Sequence, residues 1–135
     1  MFVNQLAIET GMAFEILADP EWQRIAAAIG GLDGVEHTMV SLGSGGPACM
    51  TIGGGPDRCV VHATGDGRTF FTLIQPSESG TSVGLVVCQL AAQFPGESAI
   101  AKAAALKAAE FFAENGELDP GFYWQQSDTR EEEPE

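Results

Sequence analysis

Cys59 and His62 lie three residues apart in "RCVVHAT", with Asp66 four residues further on. These side chain types suit nucleophilic chemistry: a thiolate attacks, a histidine takes its proton, and a carboxylate orients the histidine. The spacing argues against it. On an extended strand, residues three apart point to opposite faces, and Asp66 falls across the turn that follows. Cys88 belongs to another apolar run, "SVGLVVCQ". Thiols in such runs are packing groups rather than nucleophiles. A small cytosolic cysteine/histidine-dependent hydrolase, using Cys59 or Cys88 with His62, is therefore the alternative reading.

Cys49, Cys59, Cys88, His37 and His62 also raise the question of a metal. Structural zinc sites use pairs of ligands two to four residues apart, and a second pair is missing here. The glycine-rich "GSGGPACMTIGGGPDR" resembles a phosphate cradle only in composition. Each glycine cluster opens a strand rather than a helix, no Gly-Lys-Ser/Thr follows, and Pro47 and Pro56 remove donors. Neither a metal nor any other cofactor is expected. Three cysteines are an odd number, and "MFVNQLAIETGM" carries no basic leader, so reduced thiols and a cytoplasmic location are expected.

The elements that hold these residues read as follows. Residues 2–8 are extended. In "ADPEWQRIAAAIGG", Asp19 caps a helix, Pro20 takes its first position and Gly30-Gly31 end it. Trp22, Ile25, Ala26 and Ile29 form its buried stripe. From Glu36 to Gln89 the period changes. "EHTMVSL", "ACMTI", "RCVVHAT", "RTFFTLI" and "SVGLVVCQ" are short strands separated by turn residues. Asp66-Gly67 is the sharpest hairpin signal, with a positive φ expected at both residues. Links this short hold no crossover helix, so the sheet is antiparallel. Residues 98–115 return to helical period, with Ala105, Ala108, Ala109, Phe112 and Ala113 on one face. Lys102, Lys107, Glu110 and Glu114 fall on the other, and Gly116 stops the helix. The expected architecture is α+β: one domain over residues 1–127, an antiparallel sheet of five to six strands, and two main helices on one face.

The closing stretch holds "GFYWQQ" and then an acidic tail over residues 128–135. In an extended "GFYWQQ", Phe122 and Trp124 face the sheet and Tyr123 faces out. The chain has 19 acidic and 6 basic residues, a net charge of −13. The tail contributes five acids and one arginine, which leaves −9 on the body. Such a surface repels nucleic acid and anionic lipid and attracts basic proteins.

The segments "LGSGGPACMTIGGGPDRCVVHATGDG", "VVCQLAAQFPG" and "ALKAAEFFAENGELDPGFYWQ", in that order, resemble a family of immunity proteins from bacterial polymorphic toxin systems. That family is often paired with nucleobase-deaminase toxins. The likeness runs from about Thr38 to Gln126 and rests on order and spacing, not on a catalytic signature. Where the family pattern has a Gly-Gly-Gln turn, this chain has Val87-Cys88-Gln89. The resemblance implies a cytosolic inhibitor, not an enzyme, that binds a basic, nucleic-acid-acting toxin domain as a monomer or in a 1:1 complex. Charge and expected exposure single out Asp57, Asp66, Glu78, Glu117 and Asp119 as contacts, with Tyr123 or Trp124 as an aromatic anchor. Edge-to-edge self-assembly is a third reading, and the high like charge opposes it.

Overall fold

The computed structural model describes residues 1–11, 13–75 and 80–128. Among these residues the order is β1 (Gln5–Thr10), β2 (Ala13–Ala18), α1 (Trp22–Gly30), β3 (Met39–Gly43), β4 (Cys49–Gly54), β5 (Arg58–Thr64) and β6 (Thr69–Ile74). Then come β7 (Ser82–Val87), β8 (Leu90–Pro95), β9 (Ile100–Ala101), α2 (Lys102–Asn115) and β10 (Tyr123–Asp128). The class is α+β, but ten strands replace the expected five to six. The surplus includes β2 and β8, which are the return arms of hairpins. Both contain residues with weak strand preference, alanine, glutamate or glutamine, and take their conformation from the partner strand.

The main sheet runs β10–β6–β5–β4–β3–β1–β2 through antiparallel pairs, with β9 beside β5. Strand alternation sends Leu6, Ile8, Val40, Leu42, Met50, Ile52, Val61 and Ala63 to one face, all buried. Helix α1 adds Ile25, Ala28 and Ile29 to this core, and α2 adds Ala105, Ala108, Ala109, Phe112 and Ala113. The alanine face of α2 matches the sequence reading in full. Each fully buried isoleucine or leucine contributes roughly 1.5–3 kcal/mol. Gly116 closes α2 at φ 73°, and its N–H donates to the Phe112 carbonyl at 2.8 Å. Lys102 lies in the first turn of α2 and reaches α1. Its Nζ donates to the carbonyls of Gly30 at 3.3 Å and Leu32 at 3.0 Å, groups left unpaired where α1 ends.

Asp19 does not cap α1. Glu21 holds the cap position without a side-chain bond, and the helix begins at Trp22. Asp19 is instead in the left-handed region at φ 50°, with its N–H donating to the Asn4 carbonyl at 2.7 Å. The chain must turn sharply there to stay beside β1, and that requirement overrides the capping preference. The buried stripe differs too: Ala28 joins Ile25 and Ile29, while Trp22 and Ala26 are half-buried.

Strands β7 and β8 form a separate two-stranded hairpin. It lies against the sheet at Gly53, where a methyl group would come within 2.5 Å of Val87 Cγ1 and 3.1 Å of the Thr38 carbonyl. Only glycine permits that approach. The hairpin turns through Cys88 and Gln89 at φ 53° and 66°, the two-residue geometry that glycine or asparagine normally supplies. Asp66-Gly67 does not use that geometry. Gly67 alone has a positive φ, and the link between β5 and β6 spans residues 65–68. Asp66 Oδ1 accepts the N–H groups of Arg68 at 2.8 Å and Thr69 at 2.9 Å, closing the turn through its side chain.

Candidate protein-docking face

The sheet face opposite the helices is open except at one end, where the β7–β8 hairpin sits over Gly53 and its neighbour Val60 is buried. Register places Ile16, Ala7, Ser41, Thr51, His62, Thr72 and Gln125 in one row across seven strands, with His62 the only titratable member. His62 is fixed by Thr72, with Nδ1 to Oγ1 at 2.9 Å, and desolvation by its neighbours lowers its pKa. A second row holds Phe70, Thr64 and Cys49, and a depression of about 250 Å³ lies between β1, β3 and β4. These two rows are therefore uncharged and mixed apolar and polar, on a molecule whose net charge is −13.

At one end of this face the hairpin is fastened to a buried carboxylate. Glu9 is only 2% exposed. Its Oε1 accepts the N–H of Thr38 at 2.8 Å and the Thr38 hydroxyl at 2.6 Å, while Oε2 accepts Gln89 Nε2 at 2.6 Å. Gln89 Nε2 also lies 3.2 Å from the Val35 carbonyl and 3.4 Å from that of Glu36, and its N–H donates to Thr38 Oγ1 at 2.9 Å. Burial pushes the Glu9 carboxyl up, but the bonds from Thr38 and Gln89, with His37 nearby, outweigh it and hold the pKa below its ordinary value. The loop beneath is shaped by Asp33, whose Oδ1 accepts the N–H groups of Val35, Glu36 and His37.

Around this fastening are large exposed apolar side chains. Phe14 stands opposite Glu9 on the open face, and Ile16, 59% exposed, lies two residues along β2. Leu90, 72% exposed, follows Gln89, and Val35, 71% exposed, supplies a carbonyl near Gln89. The sequence reading missed all four, together with Glu9 and Gln89. The apolar alternation in "AFEILA" was available as a signal. The Glu9–Gln89 bond joins residues 80 apart and leaves no local pattern.

The residues singled out from sequence are scattered. Asp57 and Asp66 occupy turns at opposite ends of β5. Glu117 and Asp119 lie in the link from α2 to β10, where Asp119 Oδ1 accepts the Gly121 N–H at 2.8 Å. Glu78 lies outside the described residues, as does the acidic tail beyond Asp128, and Asp128 itself pairs with Thr69 as part of β10. Tyr123 is 67% exposed and pairs with Ile74 on the open face. Trp124 turns inward, packs against the core, and donates Nε1–H to the Asp119 carbonyl at 3.0 Å. Of the two aromatic candidates, Tyr123 is the exposed one, while Trp124 finishes the fold.

Cys59 is buried on the helix side, where desolvation pushes its thiol up to about 11, and His62 is on the other side of the sheet. Burial also raises the pKa of half-buried Cys49. Cys88 is exposed at the hairpin turn rather than buried in a strand. Among the described residues no three His, Cys, Asp or Glu side chains converge as metal ligands. No helix among them is long and apolar enough to cross a membrane. A cleft of about 600 Å³ opens between the hairpin and the β4–β5 turn, lined mainly by Val83, Leu85, Val86 and Ala92 with Asp57 and Arg58. Arg58 Nη1 already donates to the Ala99 carbonyl at 2.6 Å. Compared with models of known protein families and with curated proteins, the chain matches none.

Proposed function

We propose that the protein is an immunity-type inhibitor that binds and neutralises a cognate bacterial toxin domain, with a nucleobase deaminase as the favoured target. The observation that carries this reading is the open seven-stranded face, bearing exposed Phe14, Ile16 and Tyr123 on a strongly acidic molecule. Exposed aromatic and aliphatic groups on a preformed sheet are what a tight protein interface uses as anchors. The surrounding negative charge suits a cationic partner. A domain that deaminates nucleic acid must attract phosphate, and an acidic protein competes for the same surface. The order of sequence motifs from Thr38 to Gln126 supports the same assignment. The inhibitor acts in the cytoplasm as a monomer or 1:1 complex, through binding alone, with Tyr123 and the acids Asp57, Glu117 and Asp119 as further contacts.

Co-expression with the toxin domain encoded by the adjacent reading frame tests the proposal. Protection of the cells and co-elution of the purified pair at 1:1 are the expected results. Undiminished killing, with separate elution of the two proteins, would overturn it.

A further inference from the structure

We propose that the partner is gripped by strand addition: an extended, lysine- or arginine-bearing segment pairs with the outer edge of β2 and packs apolar side chains on Phe14 and Ile16. The identity of the partner rests on the inhibitor reading above. The binding mode rests on the edge itself.

Among the described residues β2 pairs only with β1, so its outer side carries unpaired backbone groups. In antiparallel geometry every second residue aims its N–H and C=O outward, which leaves about three such residues on a six-residue strand. Exposed edges of this kind are ordinarily blunted by lysine, proline, a bulge or a very short strand. β2 has none of these, and the charge of Glu15 is the one protecting device it carries. It runs six residues in unbroken register with β1, as Ala-Phe-Glu-Ile-Leu-Ala, and its one charged side chain is Glu15.

The flanking side chains specify what would add there. Phe14 and Ile16 point to the open face at alternate positions, and exposed Leu90 and Val35 belong to the segments that Gln89 joins near Glu9. The Glu9–Gln89 bonds fix the hairpin turn at this place, so the surface is preformed. Exposed Glu15, Asp19 and Glu36 accompany it, and the first 23 residues contain no lysine or arginine. An incoming strand with apolar residues on one side and cations between or beside them satisfies the backbone, the apolar groups and the acids together. A second copy of this chain fits worse. Antiparallel pairing of two β2 edges about their middle would set Glu15 close to its counterpart, between molecules that each carry −13.

The test uses the full chain, labelled for amide exchange. The probes are a capped peptide of alternating valine and threonine flanked by two lysines at each end, and its glutamate-flanked counterpart. The lysine peptide should slow exchange of alternate β2 amides at least tenfold, and the glutamate peptide should not. Phe14→Asp with Ile16→Asp should abolish that protection while the far-ultraviolet spectrum stays unchanged, since both side chains are exposed. Protection confined to β7–β8 or β10, no protection at millimolar peptide, or a doubled mass without peptide would each overturn strand addition. In the complex with the toxin domain, the same double variant should weaken binding at least a hundredfold. Unchanged affinity would overturn strand addition and leave the inhibitor reading standing. A toxin domain that never binds, while the lysine peptide still protects β2, would overturn the inhibitor reading alone.

Discussion

Glu9 shows how one side chain decides the state of an element far away in sequence. Its carboxylate collects donors from Thr38 and Gln89, and its pKa is lowered from 4.5. A carboxyl whose folded pKa lies below its unfolded value stabilises the fold above the unfolded pKa, and that stability drains as pH falls through the folded value. Glu9 therefore supports the hairpin fully at neutral pH and progressively less below about pH 4.5. Glu9→Gln replaces a charged acceptor by an amide that brings a surplus N–H to a buried place. It should cost about 1–3 kcal/mol at pH 7 and flatten the acid limb of the stability curve, measured as urea midpoints between pH 7 and pH 3. Cys88 makes the opposite case. At φ 53° it holds a conformation that costs a non-glycine residue roughly 1 kcal/mol. Cys88→Gly should raise stability by up to about that amount, read as a higher urea midpoint, because the thiol is free and exposed.

Among the elements, those with a dense local pattern were legible in sequence and those made by pairing were not. Helix α2 combined an alanine face with a terminal glycine, and β3 to β6 combined β-branched residues with short turns, so each was readable alone. Strand β8, Leu-Ala-Ala-Gln-Phe-Pro, has little strand preference of its own and is extended because β7 lies beside it. The two-residue turn was expected at Asp66-Gly67, where composition favours it. It occurs instead at Cys88-Gln89, where bonds from Gln89 to Glu9 and Thr38 offset unfavourable dihedrals. The docking face was only half legible for the same reason: Tyr123 followed from strand alternation, whereas Phe14 and Ile16 required knowing that β2 is an edge. The seat of the hairpin is testable at this scale. Gly53→Ala puts a methyl group 2.5 Å from Val87 Cγ1 and should cost about 1–3 kcal/mol by overpacking. Val87→Ala in the same chain should recover part of that loss, since it removes the obstructing methyl groups. Thermal denaturation of the two single variants and the double variant gives the coupling; strict additivity would mean that the hairpin does not rest on Gly53.

Across the whole molecule, the inhibitor proposal gives shape and charge separate tasks. Among the described residues acids lie in turns (Asp33, Asp57, Asp66, Asp119), on α2 (Glu110, Glu114) and on strands (Glu9, Glu15), and −9 remains when residues 128–135 are set aside. Under the inhibitor proposal, such a field acts at long range and sets how fast a cationic partner arrives, while the apolar groups on β2 set how long it stays. Salt separates the two. At 0.1 M ionic strength the screening length is about 10 Å, and at 1 M it is about 3 Å. Raising sodium chloride from 20 mM to 1 M should slow association of the toxin domain at least tenfold and change dissociation much less. Phe14→Asp with Ile16→Asp should do the reverse, accelerating dissociation and sparing most of the salt-dependent association rate. Stopped-flow mixing followed by competitor chase measures both rates on the same proteins. An association rate indifferent to salt would remove the field from the mechanism and leave recognition to the sheet edge alone.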